Sequence, residues 1–298
     1  MSEPKTVDQL LTIGVRVLDD STHLFDDHDH DDEAQELLAM VLDVDDLDEV
    51  PDDHVPGRRE RERFLALIAR RAGGEPFPFL TGRIEIYGLS LKVRPGAFVP
   101  RPSSELTIDL AVKKLKRKKK AIVVDVCAGQ GPIALCIAHE LDEAEVFGCD
   151  IDAGGLEQGR RNAKELGLRN VKFLAGDMYA PLPKRLKGNV DLIVGHVPYV
   201  PMDEIEDLPA EVREYEPLYT LSDESVDGLT LMRRAVDESV PWLAPGGWLM
   251  LELAEDLSKK VLKMCKKAGF TDLKVRSDED ELSVVVEGRL PKGRTPAR

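Results

Sequence analysis

The residues with most to offer chemically are a histidine and, two positions on, a proline-tyrosine pair, all at the end of an apolar run. Asp191-Leu192-Ile193-Val194-Gly195 leads straight into His196-Val197-Pro198-Tyr199. That order brings a ring nitrogen, backbone carbonyls and an aromatic face to one strand end. In open α/β sheets, ligands bind outside the carboxyl ends of the strands, where loops turn polar groups toward a crevice. A neutral imidazole there accepts one hydrogen bond through its bare nitrogen or takes a proton as a general base.

A second set of residues suits a ligand with an adenosyl group. Asp125-Val126-Cys127-Ala128-Gly129-Gln130-Gly131-Pro132 closes another apolar run. Gly129 and Gly131 let the backbone turn sharply and approach a ligand, and Pro132 fits the first turn of a helix. The spacing Gly129-x-Gly131-x-x-Ala134 also fits a dinucleotide fingerprint, so the loop alone is ambiguous. Its surroundings narrow it. Asp125 can orient the loop or face a cation, which a pyrophosphate would oppose. Asp150, followed by Ile151, ends the next apolar run and is placed for ribose hydroxyls. Asp177 and Met178 offer an acid for an adenine amino group beside an apolar wall. Together these describe a pocket for an adenosyl group without phosphates. Arg101, between Pro100 and Pro102, is a candidate clamp on substrate or cofactor.

The elements that must position these residues follow from periodicity. Helical spacing of apolar residues predicts helices over 7–18, 33–42 and 58–72, the last stopped by Gly73-Gly74. Between the first two, the acidic, histidine-containing stretch 26–33 reads as a solvated loop rather than a metal site. Alternation around Gly88 predicts a β-hairpin over 84–93. A helix over 105–115 follows, capped by Ser103 or Ser104 and ending in the lysine-rich run 113–120, read as a solvated face. Strands at 121–126, 145–149, 171–174, 191–194 and 248–253 then alternate with helices at 132–141, 153–166, 228–243 and 257–268. This predicts a mostly parallel sheet covered on both faces. Strands at 271–276 and 282–287, joined by the short link 277–280, should be antiparallel to each other.

Composition sets the class. The chain of 298 residues is 42% hydrophobic and 33% charged, the balance of a globular protein long enough for two domains. It holds no apolar run of about 18 residues and opens without a basic segment followed by an apolar one, so a cytoplasmic location without a membrane span is expected. The four cysteines, Cys127, Cys136, Cys149 and Cys265, have no C-x-x-C pairing and read as reduced core residues, with no metal site expected. The net charge of −15 lies entirely in residues 1–60, which carry 19 acidic and 4 basic side chains. Such a front end opposes nucleic acid and suits a protein partner or plain solvation.

Further pieces, read with these, carry a resemblance. They are Pro76-Phe77-Pro78-Phe79-Leu80-Thr81-Gly82, the Pro100-Arg101-Pro102-x-x-Glu105 turn, Glu216-Pro217, Asp227-Gly228-Leu229, and Leu243-x-Pro245-Gly246-Gly247-x-Leu249-x-Leu251-Glu252. With the loop at 125–131 and Asp150, they are similar to the HemK/PrmC-type protein glutamine-N5 methyltransferases, within the class I S-adenosylmethionine-dependent methyltransferases. The resemblance covers nearly the whole chain. It implies a Rossmann-like seven-stranded methyltransferase domain over 104–298, a β-hairpin linker over 76–103 and a helical substrate-recruiting domain over 1–75. It implies S-adenosylmethionine bound by Asp125, Cys127, Ala128, Gly129, Gly131, Asp150, Ile151, Asp177, Met178 and Arg101. The implied substrate is a glutamine side chain of a protein such as a translation release factor, held at His196, Val197, Pro198 and Tyr199.

One departure falls on the acceptor loop. The family carries Asn-Pro-Pro-Tyr there, with the Asn side chain and the next carbonyl accepting hydrogen bonds from the substrate amide; this chain has His196-Val197-Pro198-Tyr199. Two further readings therefore stay open: a methyltransferase for another nucleophile, including a nucleic acid base, and a cofactor-binding module without catalysis.

Overall fold

The computed structural model describes residues 5–24, 29–278 and 284–293. The chain forms two compact units, Met1–Arg83 with Glu206–Glu216 and Ile84–Ile205 with Pro217–Arg298.

In the first unit, α1 (Val7–Asp19) starts where the Thr6 hydroxyl accepts the Gln9 N–H and the Gln9 side chain returns to the Thr6 backbone, a reciprocal cap. Helix α2 runs His30–Leu42 and α3 runs Arg58–Ala72. Leu10, Leu18, Leu37, Leu38 and Phe64 are fully buried among them. Each such side chain contributes about 1.5–3 kcal/mol by leaving water. A Cβ on Gly14 would stand 2.9 Å from the Phe64 ring, so glycine lets α1 and α3 close. The expected solvated loop over 26–33 is corrected at its end. Residues 25–28 lie outside the described residues, but Asp29 caps α2 by accepting the Asp32 N–H, and His30 Nδ1 meets Asp19 at 2.8 Å. A short helix not expected from periodicity, α4 (Phe77–Thr81), follows and stops at Gly82.

The second unit opens with the hairpin β1 (Arg83–Ile86) and β2 (Leu89–Lys92). Its turn residues, Tyr87 and Gly88, both take positive φ, the conformation whose twist matches paired strands. Helix α5 spans Ser104–Leu115. Then come β3 (Ile122–Val126), α6 (Pro132–Glu140), β4 (Glu145–Asp150), α7 (Ala153–Glu165), β5 (Val171–Ala175) and β6 (Val190–His196). The segment Glu206–Glu216, with its short helix α8 (Ala210–Arg213), belongs to the helical unit. Beyond it lie α9 (Leu218–Leu221), α10 (Thr230–Ser239), β7 (Leu243–Leu253), α11 (Ser258–Lys267), β8 (Thr271–Ser277) and β9 (Val284–Arg289).

The sheet order is β5-β4-β3-β6-β7-β9-β8. The first five strands are parallel, and β9 pairs antiparallel with both β7 and β8. Part of the expected 277–280 link, residues 279 and 280, lies outside the described residues. Alternate side chains of the central strands enter opposite cores: Val124, Val126 and Ile193 on one face, Val123, Leu192 and Val194 on the other. The helix expected at 228–243 begins only at Thr230, because Gly228 has φ +61, and ends at Ser239. Strand β7 starts five residues earlier than periodicity suggests, since Leu243 pairs with Val190 before a register shift.

The order places β6 beside β3, where the chain has turned back from β5 across the sheet. That reversal is the switch point at which open α/β sheets bind ligands.

Candidate functional site

The carboxyl ends of β3, β4 and β6 carry most of the predicted residues; Asp177 and Met178 follow β5, and Arg101 lies in the segment before α5. Val126 pairs with Cys149 on one side and with Gly195 on the other. The glycine loop, Asp150 and the His196 loop therefore start from adjacent strands.

Asp150 organises the cofactor side. Its two carboxylate oxygens accept the backbone N–H groups of Gly129 and Asp152, each at 2.7 Å. Burial raises its pKa, while those two N–H bonds pull it back down. A carboxylate has about four lone-pair positions, so it can accept from a diol as well. Ile151 beside it is 60% exposed.

The glycine loop explains its own composition. Gly129 has φ +55, and the position of a Cβ there faces open space, a cradle any larger residue would fill. At Gly131, with φ +81, a Cβ would overlap the ring of Phe173. Ala128 is buried at the head of the loop, where its N–H donates to the Cys149 carbonyl at 3.0 Å. Gln130 is buried, accepts the Arg94 N–H at 2.8 Å and donates to the Phe98 carbonyl at 3.0 Å. It ties this loop to the segment before Arg101.

Asp125 is 1% exposed. One oxygen accepts the Ala134 N–H at 3.2 Å and the other has no hydrogen-bond partner among the described residues. Burial pushes its carboxyl well above the ordinary aspartate range. The spare lone pairs of Asp150 and the open space above Gly129 mean that the residues present fit S-adenosylmethionine. Cys127 and Met178 both hold positive φ, at 56 and 49°, and their sulfur atoms lie 3.7 Å apart. Sparsely populated backbone conformations of this kind cluster at functional sites. Asp177 lies beside Met178 with its carboxylate bound by Arg234 at 2.9 and 3.1 Å.

On the acceptor side, His196 is the last residue of β6. Its ring stacks on Tyr199 with centroids 5.8 Å apart and planes 16° apart, and meets the edge of Phe98 at 5.3 Å. Arg101 lies over the Phe98 ring at 4.7 Å. Burial, ahead of the nearby Glu252 charge, pushes the Tyr199 phenol up to about 12. Val197 is fully buried and anchors the loop. Pro198 follows, half-buried.

Several residues of this site escape sequence reasoning. Glu252 is 3% exposed, accepts the Ser103 hydroxyl at 2.9 Å and the Thr107 hydroxyl at 3.1 Å, and faces His196 Nδ1 at 3.5 Å. Ser103 was expected as a helix cap, but it makes no capping bond because its hydroxyl is turned to Glu252. The available signal was the place of Glu252 at the end of the Leu243–Glu252 motif and of Gln130 within the glycine loop. Phe98 carried none.

Residues 117–269 match the profile of a protein family described as "Methyltransferase domain". The chain is 37% identical over 224 residues to the release factor glutamine methyltransferase of Geobacter sulfurreducens, covering 75% of this chain and 76% of that protein. It is 31% identical over 260 residues to the protein of the same name from Xylella fastidiosa, covering 87% and 93%. Among solved structures it resembles a methyltransferase from Pyrococcus furiosus with a TM-score of 0.51 and 18% identity, covering 70% of this chain and 91% of that one. At these identities a structural likeness speaks for the fold alone.

Proposed function

The chain belongs to the release factor glutamine methyltransferases, and on that footing we propose that it methylates a side-chain nitrogen of glutamine in a translation release factor, seated at His196-Val197-Pro198-Tyr199. The observation that carries this reading is the pairing of Val126 with Gly195, which sets the cofactor loop directly beside the acceptor loop. S-adenosylmethionine, when bound, supplies an electrophilic methyl group on a sulfonium. The chain's own work is to hold and align. Asp150 takes the ribose hydroxyls, Gly129 and Gly131 let the backbone approach, and Cys127, Ala128, Ile151 and Met178 line the apolar walls. Asp125 orients the glycine loop by holding the Ala134 N–H, and Asp177, fixed by Arg234, stands on the adenine side. The carbonyls of His196 and Val197 and a bare ring nitrogen of His196 accept the amide N–H groups of the substrate, Pro198 fixes the turn, and Tyr199 packs on the substrate. Arg101 borders that space from the Phe98 side. With translation as its setting, the cytoplasm is the compartment we propose.

Radiolabelled methyl transfer tests this reading against a release factor, a protein extract and nucleic acid in parallel. Label in a release factor, released as methylglutamine on hydrolysis, is expected. Label in nucleic acid alone would overturn the substrate. A second reading, transfer to a nucleophile that needs a base, is favoured by the replacement of the family's Asn with His196. It predicts label elsewhere in the protein extract.

A further inference from the structure

Strand β7 pairs Glu252 in register with His196, so their side chains leave the same end of the sheet on neighbouring strands. Glu252 is held from behind by α5 and the residue before it: Ser103 and Thr107 each donate a hydroxyl to one of its oxygens. Its Oε1 then stands 3.5 Å from His196 Nδ1, and that buried nitrogen has no hydrogen-bond partner among the described residues. A carboxylate oxygen accepts hydrogen bonds, so a proton on Nδ1 is the one this contact favours. Phe98 and Tyr199 flank the ring and hold its plane.

We infer that Glu252 fixes His196 in the Nδ1–H tautomer, so that Nε2 is the bare acceptor presented to the substrate N–H. This rests on the reading of the His196 loop as the seat of the methyl acceptor. Methylation of an N–H group leaves one proton to be removed. Nε2 of His196 takes that proton, the imidazolium keeps its Nδ1–H toward Glu252, and the proton passes from Nε2 to water as product leaves. The carboxamide of an asparagine in the same place could accept a hydrogen bond but not the proton. Glu252 is thus a positioning residue that acts through His196.

Charged and titratable groups surround the His196 imidazole. Glu252 faces it from β7, and the Tyr199 phenol stays protonated. Arg101 lies over Phe98, Asp125 lies within electrostatic reach of Glu252, and Asp256 lies within reach of Tyr199.

The test is ¹⁵N NMR of the imidazole nitrogens in the full-length protein labelled with ¹⁵N-histidine, with the His196 signals assigned by their loss in His196→Asn. The expected wild-type spectrum has a protonated Nδ1 and a bare Nε2. In Glu252→Gln that preference is lost and kcat falls about tenfold or more with KM moved less, the scale of removing a partner that orients a functional histidine. Glu252→Asp, which keeps the carboxylate group, restores the tautomer in part. A wild-type Nε2–H tautomer, or a spectrum unmoved by Glu252→Gln, would overturn the pair. If Glu252→Gln does not fold, the wild-type spectrum alone decides. A tautomer that shifts as expected, with no transfer to glutamine, would leave the pair standing and overturn the substrate reading instead.

Discussion

Gly228 lies against Tyr199 so closely that a Cβ on it would overlap the Tyr199 carbonyl oxygen. With φ +61 it also holds a backbone conformation that other residues adopt at a cost. The turn before α10 therefore clamps the end of the acceptor loop. Gly228→Ala should push Tyr199 out of place while leaving the cofactor side intact. A displacement of about 1 Å at a positioning element costs on the order of 100-fold in rate. Transfer assays should show a loss of that size, and calorimetry with S-adenosylmethionine should show near-normal affinity.

Asp150→Ala removes the acceptor of two backbone N–H bonds as well as the proposed ribose contact. Hydrogen bonds to a charged group are each worth about 1.5–3 kcal/mol. Calorimetry should show S-adenosylmethionine binding weakened at least tenfold, and unchanged binding would remove Asp150 from the cofactor site.

Asp125 gives a stability effect that depends on pH. Burial raises its pKa in the folded state above the unfolded value, so its contribution to stability is present below the ordinary aspartate range and is lost as pH rises toward the folded value. Asp125→Asn removes that loss. Without cofactor, its melting temperature near pH 8 should exceed wild type by roughly 2–4 °C per kcal/mol recovered. The gain should vanish near pH 4. Cofactor affinity should fall in the same variant.

Arg71 is fully buried, bound bidentately by Glu33 at 2.8 and 2.9 Å and by Glu211 at 2.7 Å. Arg71→Met would leave two buried carboxylates without their cation. Breaking a buried pair in this way costs about 3–5 kcal/mol. Hydrogen exchange should show protection lost in α1, α2 and α3, with Glu211→Gln milder because Glu33 keeps its partner.

The alternating strands and helices were legible because burial on two faces writes itself as apolar runs, and the site was legible where backbone demands left glycines and strand-end acids. What lay hidden was set by partners distant in sequence. Arg71 sits in a run rich in arginine and glutamate and reads as a surface charge, yet it meets Glu211 across 140 positions. The segment around Glu211 therefore gave no sign that it packs with the helices. Ser103 has the residue type and position of a cap, but the carboxylate of Glu252 holds its hydroxyl instead. His196 was visible as a departure from a family pattern; that Glu252 stands behind it depends on the register between β6 and β7, which no local pattern encodes.

The most direct measurement is mass spectrometry of a translation release factor after incubation with this protein and S-adenosylmethionine. The expected result is one added methyl group on a glutamine side chain, lost when His196 is replaced by alanine. An unmodified release factor, while the protein binds S-adenosylmethionine normally, would contradict the account.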